Sequence, residues 1–370
     1  MNEWRDIKLK EVIKFGNGKK KPNSDGMIPI YGGNGILGHS SESNYDNETI
    51  IIGRVGAYCG SVYYENKPIW VSDNALSAKP KNDNNTKFLY YFLKHSQLNQ
   101  HAGGSSHPLV TQTLLNSLEY NFCMDTTEQK AIAEVLSSLD DKIDLLHRQN
   151  KTLEELAQTL FRQWFIEEAK DEWEEYEIRD FATHKKVSIK PAQNPNDNFL
   201  HYSLPAFDTN KEPNAELGSD IKSNKYRVES FSILMSKLNP KTPRVWDIYF
   251  EPEKNSICST EFQVVEPNNK ELFPFISTLL KSEKVKGELA MSASGTSGSH
   301  QRVKPEDIFN ISFFTPSVEK MKEFSTILEP NYLKQIKNQQ QIKTLEKMRD
   351  TLLPKLMSGE VKINLGDSND

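Results

Sequence analysis

Between residues 132 and 164 the apolar positions recur at alternating steps of four and three: Ile132, Leu136, Leu139, Ile143, Leu146, Asn150, Leu153, Ala157, Leu160 and Trp164. That spacing is a heptad seam, narrower than the apolar stripe of a globular helix. Asp125-Thr126-Thr127-Glu128 supplies the cap signals of its start. At 1.5 Å per residue the helix extends about 55 Å, longer than a single domain needs, so its seam calls for a partner helix. Asn150 is the one polar seam position. It is either a random intrusion or a buried amide that fixes register at some cost in stability.

The chain supplies the partner itself. Residues 149–164, QNKTLEELAQTLFRQW, return as residues 341–356, QIKTLEKMRDTLLPKL, at an offset of 192. The flanks agree: Gly104-Ser105-Ser106-His107 with Val110, Leu115, Leu118 and Tyr120 matches Gly298-Ser299-His300 with Val303, Ile308, Ile311 and Phe313. Ile342, Leu345, Leu352 and Leu356 fall in the same heptad frame, Gln335 and Asn338 weaken it upstream, Pro330 suits a helix start, and Pro354 should loosen the last turn. A chain duplicated at this period forms a pseudo-dimer, and a twofold axis perpendicular to the helices makes them antiparallel. The expected fold is α+β, with two pseudo-twofold-related globular domains separated by two long antiparallel coiled-coil helices. The boundaries fall at residues 1–124, 125–168, 169–316 and 317–358, with a tail at 359–370.

Both globular blocks read as short strands with many turns. In the first, Ile28–Tyr31 meets a Gly32-Gly33-Asn34-Gly35 turn, and Thr49–Ile52 leads into Gly53-Arg54-Val55-Gly56. In the second, Arg244–Phe250 and Glu261–Val265 are the clearest strands. Helices are expected over Phe88–Asn99 and Phe273–Met291. A loop of small residues follows each, His101–His107 and Ser292–His300, where backbone can approach a ligand closely.

Charge changes the picture. The net charge of −5 argues against nucleic acid, yet residues 125–180 hold 16 acidic and 7 basic side chains, leaving 35 and 39 elsewhere. The acid is confined to the helical segment and its Trp164–Glu177 exit, either a solvated junction or a docking surface for a protein. Bases gather in the blocks, at Lys19-Lys20-Lys21, at Lys185, Lys186 and Lys190, and from Lys222 to Arg244. Cys59, Cys123 and Cys258 are isolated, without zinc-ligand spacing, and read as reduced packing residues; no metal site is expected. No stretch approaches the roughly 20 apolar residues of a membrane span, and Met1–Trp4 begins no signal peptide, so a cytoplasmic chain is expected.

Enzyme motifs are missing. Lys19-Lys20-Lys21-Pro22 follows Phe15-Gly16-Asn17-Gly18 where a methyltransferase helix should begin, and Asn194-Pro195-Asn196 lacks the second proline of an adenine-methyltransferase motif. There is no GxxxxGK[ST] loop. Catalytic residues are therefore expected to be absent.

In combination, these residues resemble the specificity subunit of type I restriction-modification systems. Trp4, Phe15–Gly18, Ile28–Ile36 and Gly53–Gly60 followed by Trp70 are similar to its first recognition domain. Glu128–Ala133, Leu139–Ile143 and Leu160–Phe165 are similar to its central helix, and Leu352–Glu360 to its C-terminal ending. The second block departs from the first, with Ser203-Leu204-Pro205-Ala206 where the glycine turn would lie. The resemblance implies a noncatalytic reader of bipartite double-stranded DNA that binds no cofactor itself. It would position two adenine-methylating subunits that use S-adenosylmethionine, and recruit restriction subunits that use ATP and Mg. A related system, whose partner fuses methylation and cleavage, is the alternative. Lys19, Lys20, Lys21, Lys185 and Lys186 would then hold phosphates, with Asn34, Arg54, Tyr58, Ser106, His107, Ser299, His300 and Arg302 on loops facing the groove.

Overall fold

A computed structural model describes residues 4–103, 108–250, 252–294 and 302–363. Two compact units divide it: residues 1–146 with 340–370 form the first, which is discontinuous, and residues 147–339 form the second.

The first block opens with β1 (Trp4–Lys8), α1 (Leu9–Val12) and β2 (Ile13–Asn17), then β3 (Ile28–Gly32) and β4 (Gly35–Ser40). β5 (Thr49–Gly53), β6 (Val62–Glu65), β7 (Trp70–Val71) and β8 (Ala75–Pro80) follow, then α2 (Thr86–His95), α3 (Gln112–Ser117) and β9 (Glu119–Cys123). α2 is shorter than its apolar pattern suggests, because Gln97 turns left-handed (φ 45°) and a 3₁₀ turn, Leu98–His101, takes over. The long helix α4 spans Thr126–Arg162 and ends in a π turn, Gln163–Glu167. At its start the Asp125 carboxylate accepts from the Thr127 and Glu128 amides, as its cap signals require.

The second block repeats the order with additions: β10 (Glu174–Glu177), α5 (Ile178–Phe181), β11 (Ala182–His184), β12 (Ser188–Ile189), β13 (Asn198–Tyr202), α6 (Leu204–Thr209), β14 (Asn214–Leu217) and β15 (Lys225–Arg227). Then come β16 (Ser232–Ser236), β17 (Val245–Ile248), β18 (Ser256–Ser259) and β19 (Phe262–Pro267). The expected Phe273–Met291 helix is two helices, α7 (Phe273–Leu280) and α8 (Glu283–Ser294), because Ser282 breaks the run and its hydroxyl caps the Val285 amide. α9 (Pro305–Phe309) and β20 (Ser312–Thr315) lead into α10, Val318–Met357.

α10 corrects one expectation. It does not start at Pro330 but passes straight through both Pro330 and Pro354. Each interior proline removes an N–H from the helical ladder, at a cost of roughly 3 kcal/mol. Buried Leu328 and Tyr332 on one side, and Leu356 and Met357 on the other, supply the packing that offsets it.

Within each unit the two long helices run antiparallel. In the first, Ile143 and Leu146 bury against Ile342, with Leu345 alongside, and Arg349 pairs with Asp140 at 2.9 Å. The C-terminal end of α10, through Leu352, Leu353, Leu356 and Met357, closes the core of the first block over Phe122, Ile132 and Leu136. In the second unit the end of α4, through Ala157, Phe161 and Phe165, does the same over Phe275, Phe313 and Phe324. Leu139, Leu153, Leu160 and Trp164 of the seam are only half-buried.

The duplication is exact at the level of strand register. The four-stranded antiparallel sheets have the orders β2-β8-β5-β6 and β11-β19-β16-β17. Ile13 opposes Pro80 as Ala182 opposes Pro267, and Ile50 opposes Ala78 as Ile233 opposes Val265. Thr49 opposes Glu65 as Ser232 opposes Ile248. The second sheets differ. The first block has three strands, β4-β3-β7; the second has five, β12-β15-β18-β13-β14. Their shared part is three strands, β4-β3-β7 in one and β14-β13-β18 in the other, an antiparallel pair beside a parallel one that sets Tyr31 beside Val71 and Tyr202 beside Cys258.

Candidate nucleic-acid interface

In the first unit the turn between β3 and β4 is two residues long, Gly33-Asn34, closed by Gly35 at φ +78°. It packs against the segment after β5. A Cβ on Gly33 would lie a tight 3.2 Å from the Val55 carbonyl oxygen, and one on Gly53 only 2.6 Å from that of Gly33, so the approach requires glycine at position 53. Asn34 is left exposed at the tip. Arg54 donates its backbone N–H to Asn74 O at 3.0 Å, and its carbonyl accepts from the Val110 amide at 2.9 Å. Val55 bridges Leu109, and the Gly56 amide donates to Pro108 O. Asn34, Arg54, exposed Tyr58 and the segment at Leu109 are thus brought together on one rim. The Arg54 Nε is buried there with no hydrogen-bond partner among the described residues.

Lys19, Lys20 and Lys21 are exposed on the flank of the same sheet. The Lys19 amide donates to Val71 O, and its carbonyl accepts from the Trp70 indole at 3.3 Å. Backbone pairing fixes the run while the ammonium groups stay in solvent. Tyr31, beside them in β3, is not an available acid: burial and then the Glu65 carboxylate push its hydroxyl up to about 12.

In the second unit the corresponding rim is more heavily paired. Lys185 is held 3.1 Å from Glu266, which raises it above its ordinary value, and Arg302 donates to Glu261 at 3.0 Å. Both are expected DNA contacts, and both also form surface ion pairs with carboxylates; Lys186 is exposed. Arg244 is likewise closed, bidentate on Asp208 at 2.6 and 2.7 Å. Ser106, His107, Ser299 and His300 lie outside the described residues.

Lys237, which the sequence places only within the basic run from Lys222 to Arg244, is a rim residue. Its carbonyl accepts from the Val303 amide at 2.8 Å, and its neighbour Leu238 bridges Arg302. Its Nζ donates to Thr260 O at 2.6 Å and lies 5.7 Å from the Tyr226 ring. Burial, then nearby Lys186 and Arg302, pull its ammonium below the ordinary value against the opposing Glu261. His184 is pulled down by burial and by the same lysines, Lys237 and Lys186. A signal existed in the sequence: Thr49-Ile-Ile-Ile-Gly-Arg54-Val55 aligns with Ser232-Ile-Leu-Met-Ser-Lys237-Leu238.

Where the first block has its two-residue turn, the second has α6. Ser203 caps it, its hydroxyl accepting from the Ala206 amide at 3.2 Å. The three cysteines are free and buried; burial raises the Cys59 thiol and pushes those of Cys123 and Cys258 up to about 12, far from a thiolate. Among the described residues, no cluster of His, Cys, Asp or Glu could hold a metal ion, and no helix is long and apolar enough to cross a membrane.

Residues 1–155 match the family model described as the type I restriction modification DNA specificity domain. The MjaIX specificity subunit of Methanocaldococcus jannaschii is 26% identical over 335 residues, covering 82% of this chain and 76% of that protein. The EcoprrI specificity subunit of Escherichia coli is 31% identical over 114 residues, 31% of this chain and 28% of that protein. The crystal structure of a type I restriction-modification S subunit from M. genitalium shares the fold, with a TM-score of 0.63 at 18% identity over 95% of this chain and 96% of that one.

Proposed function

We infer that this chain belongs to the type I restriction-modification specificity-subunit family, which its similarities support, and that it reads a DNA site in two halves and leaves the chemistry to other subunits. The observation that carries the reading is the duplicated sheet. Two blocks keep the same four-stranded frame, register for register, and carry different second sheets on it. A shared frame with divergent elements at equivalent places suits two recognition surfaces that do the same job on different base sequences. Side chains on the divergent elements would read base edges, each good bidentate contact contributing roughly 1–3 kcal/mol of discrimination. The long helices contribute to both units, and their length would set the unread spacer.

The partners would be two modification subunits that methylate adenine with S-adenosylmethionine, and restriction subunits that use ATP and Mg. The acidic outer faces of the helices, unsuited to phosphate, would be left to those proteins. The test is methyl transfer to DNA by highly purified single chain and by chain assembled with its modification partner. Transfer only in the assembly, within a two-part motif, supports the reading. Transfer by the single chain overturns it.

A further inference from the structure

Arg54 and Lys237 occupy the same place in the two units. Each is the first residue after the central strand of its four-stranded sheet, β5 or β16. Each accepts a backbone hydrogen bond from a valine, Val110 or Val303, that follows its block's loop of small residues. In each case the next residue bridges the residue before that valine, Val55 with Leu109 and Leu238 with Arg302. The side chains differ, Arg in one and Lys in the other, and only the positive charge is kept. The connection after the first strand of the second sheet's shared part has diverged: a Gly33-Asn34 turn against a capped helix, Ser203–Thr209.

Resting on the reading of the two blocks as recognition surfaces, we propose that Arg54 and Lys237 are paired phosphate anchors, one for each half-site, and that neither reads a base. The reasoning is that two surfaces recognising different sequences cannot discriminate through what they hold in common. A planar five-donor guanidinium and a point-like ammonium also present different patterns to a base edge, whereas both satisfy a phosphate. The groups facing each position fit this role. Arg54 Nε is buried with no partner among the described residues, so this donor stands open for an acceptor. Lys237 uses one of three donors on Thr260 O and stands among Lys186, Arg302 and His184; Glu261, the acid opposing it, gives Oε1 to Arg302, while its Oε2 is buried without a partner among the described residues. An arriving phosphate would relieve that mutual repulsion.

The experiment uses the full chain assembled with its modification partner, and compares Arg54→Gln, Lys237→Gln, the double variant, and the charge-keeping Arg54→Lys and Lys237→Arg. Two quantities are read: the methylated motif, and affinity for a duplex carrying it across a salt series. Each Gln variant should bind specific and scrambled duplex more weakly by a similar factor. Each should also flatten the slope of log affinity against log salt by about 0.9, and the double variant by about twice that. The charge-keeping variants should restore the slope, and the motif should be unchanged throughout. A changed base in either half-site shows base reading and overturns the proposal. An unchanged slope in both single Gln variants, whatever their thermal stability, shows a merely structural role and also overturns it. Failure of the unsubstituted assembly to recognise a two-part motif instead removes the underlying function.

Discussion

The side-chain amide of Asn338 donates to Asn150 Oδ1 at 2.8 Å, pairing two polar residues across the seam between the long helices of the second unit. Asn338 is fully buried, and its own Oδ1 has no partner among the described residues. Far from weakening the helix pair, the two asparagines recognise one another, and such a pair selects one register at the expense of stability. Asn338→Leu leaves Asn150 unpaired and should destabilise the chain by about 1–3 kcal/mol, whereas replacing both by Leu should be neutral or stabilising. Denaturant melts of the two variants check this; equal losses in both would show that the pair carries no specific interaction.

The seam was legible because its residues repeat locally: a heptad needs only one helix to be read. The Asp125 cap, the Gly32–Gly35 turn and the replacement of that turn at Ser203 were legible for the same reason. The extent of the duplication was not. Trp4 matches Trp173 at an offset of 169, Arg54 matches Lys237 at 183, Pro80 matches Pro267 at 187, and Tyr120 matches Phe313 at 193. Each insertion between strands changes the offset, so no single spacing reveals the repeat, and only strand pairing restores the alignment. Helix α10 was misjudged at Pro330 because propensity is local, while the packing of Tyr332 and Leu328 that overrides it comes from residues distant in sequence. At the rim, the ion pairs of Lys185 with Glu266 and of Arg302 with Glu261 are not legible locally, because the partners lie far apart along the chain.

Acid should loosen the second unit through Glu154. The nearby Lys281 ammonium, at 3.1 Å, holds its carboxyl below the usual range. A depressed carboxyl contributes stability that is complete above the unfolded value of about 4.3 and is lost as pH falls through the lower folded value. Glu154→Gln should therefore be less stable than the parent at pH 7, with the difference vanishing as both are taken below that folded value. Unfolding midpoints from pH 2 to pH 7 test it; a constant difference across the range would contradict the linkage.

Lys281 itself lies between Glu154 and Asp247, and Asp247 also accepts from the Ser277 hydroxyl. Lys281→Met strands both carboxylates, so the loss should be about 3–5 kcal/mol, well beyond that of Glu154→Gln. Thermal melts of both variants give the comparison; a smaller loss for the lysine would show that Asp247 is satisfied without it.

Replacing Lys19, Lys20 and Lys21 together by Ala should weaken DNA binding without regard to sequence. Phosphate contacts release counterions and read no bases, so the salt dependence should flatten while the motif stays the same. Affinity measured over a salt series decides it, and an altered motif at an unchanged slope would place these lysines on base edges.

The central claim is that each block reads its own half of the site, and Asn34 at the exposed tip of the first block's turn tests it most directly. Methylated adenines are mapped genome-wide with the modification partner and either the parent chain or Asn34→Ala. The account predicts a two-part motif for the parent, and for the variant a relaxed or altered base in one half only, with the other half and the spacer untouched. A motif without an unread spacer, or changes in both halves from this single substitution, would contradict it.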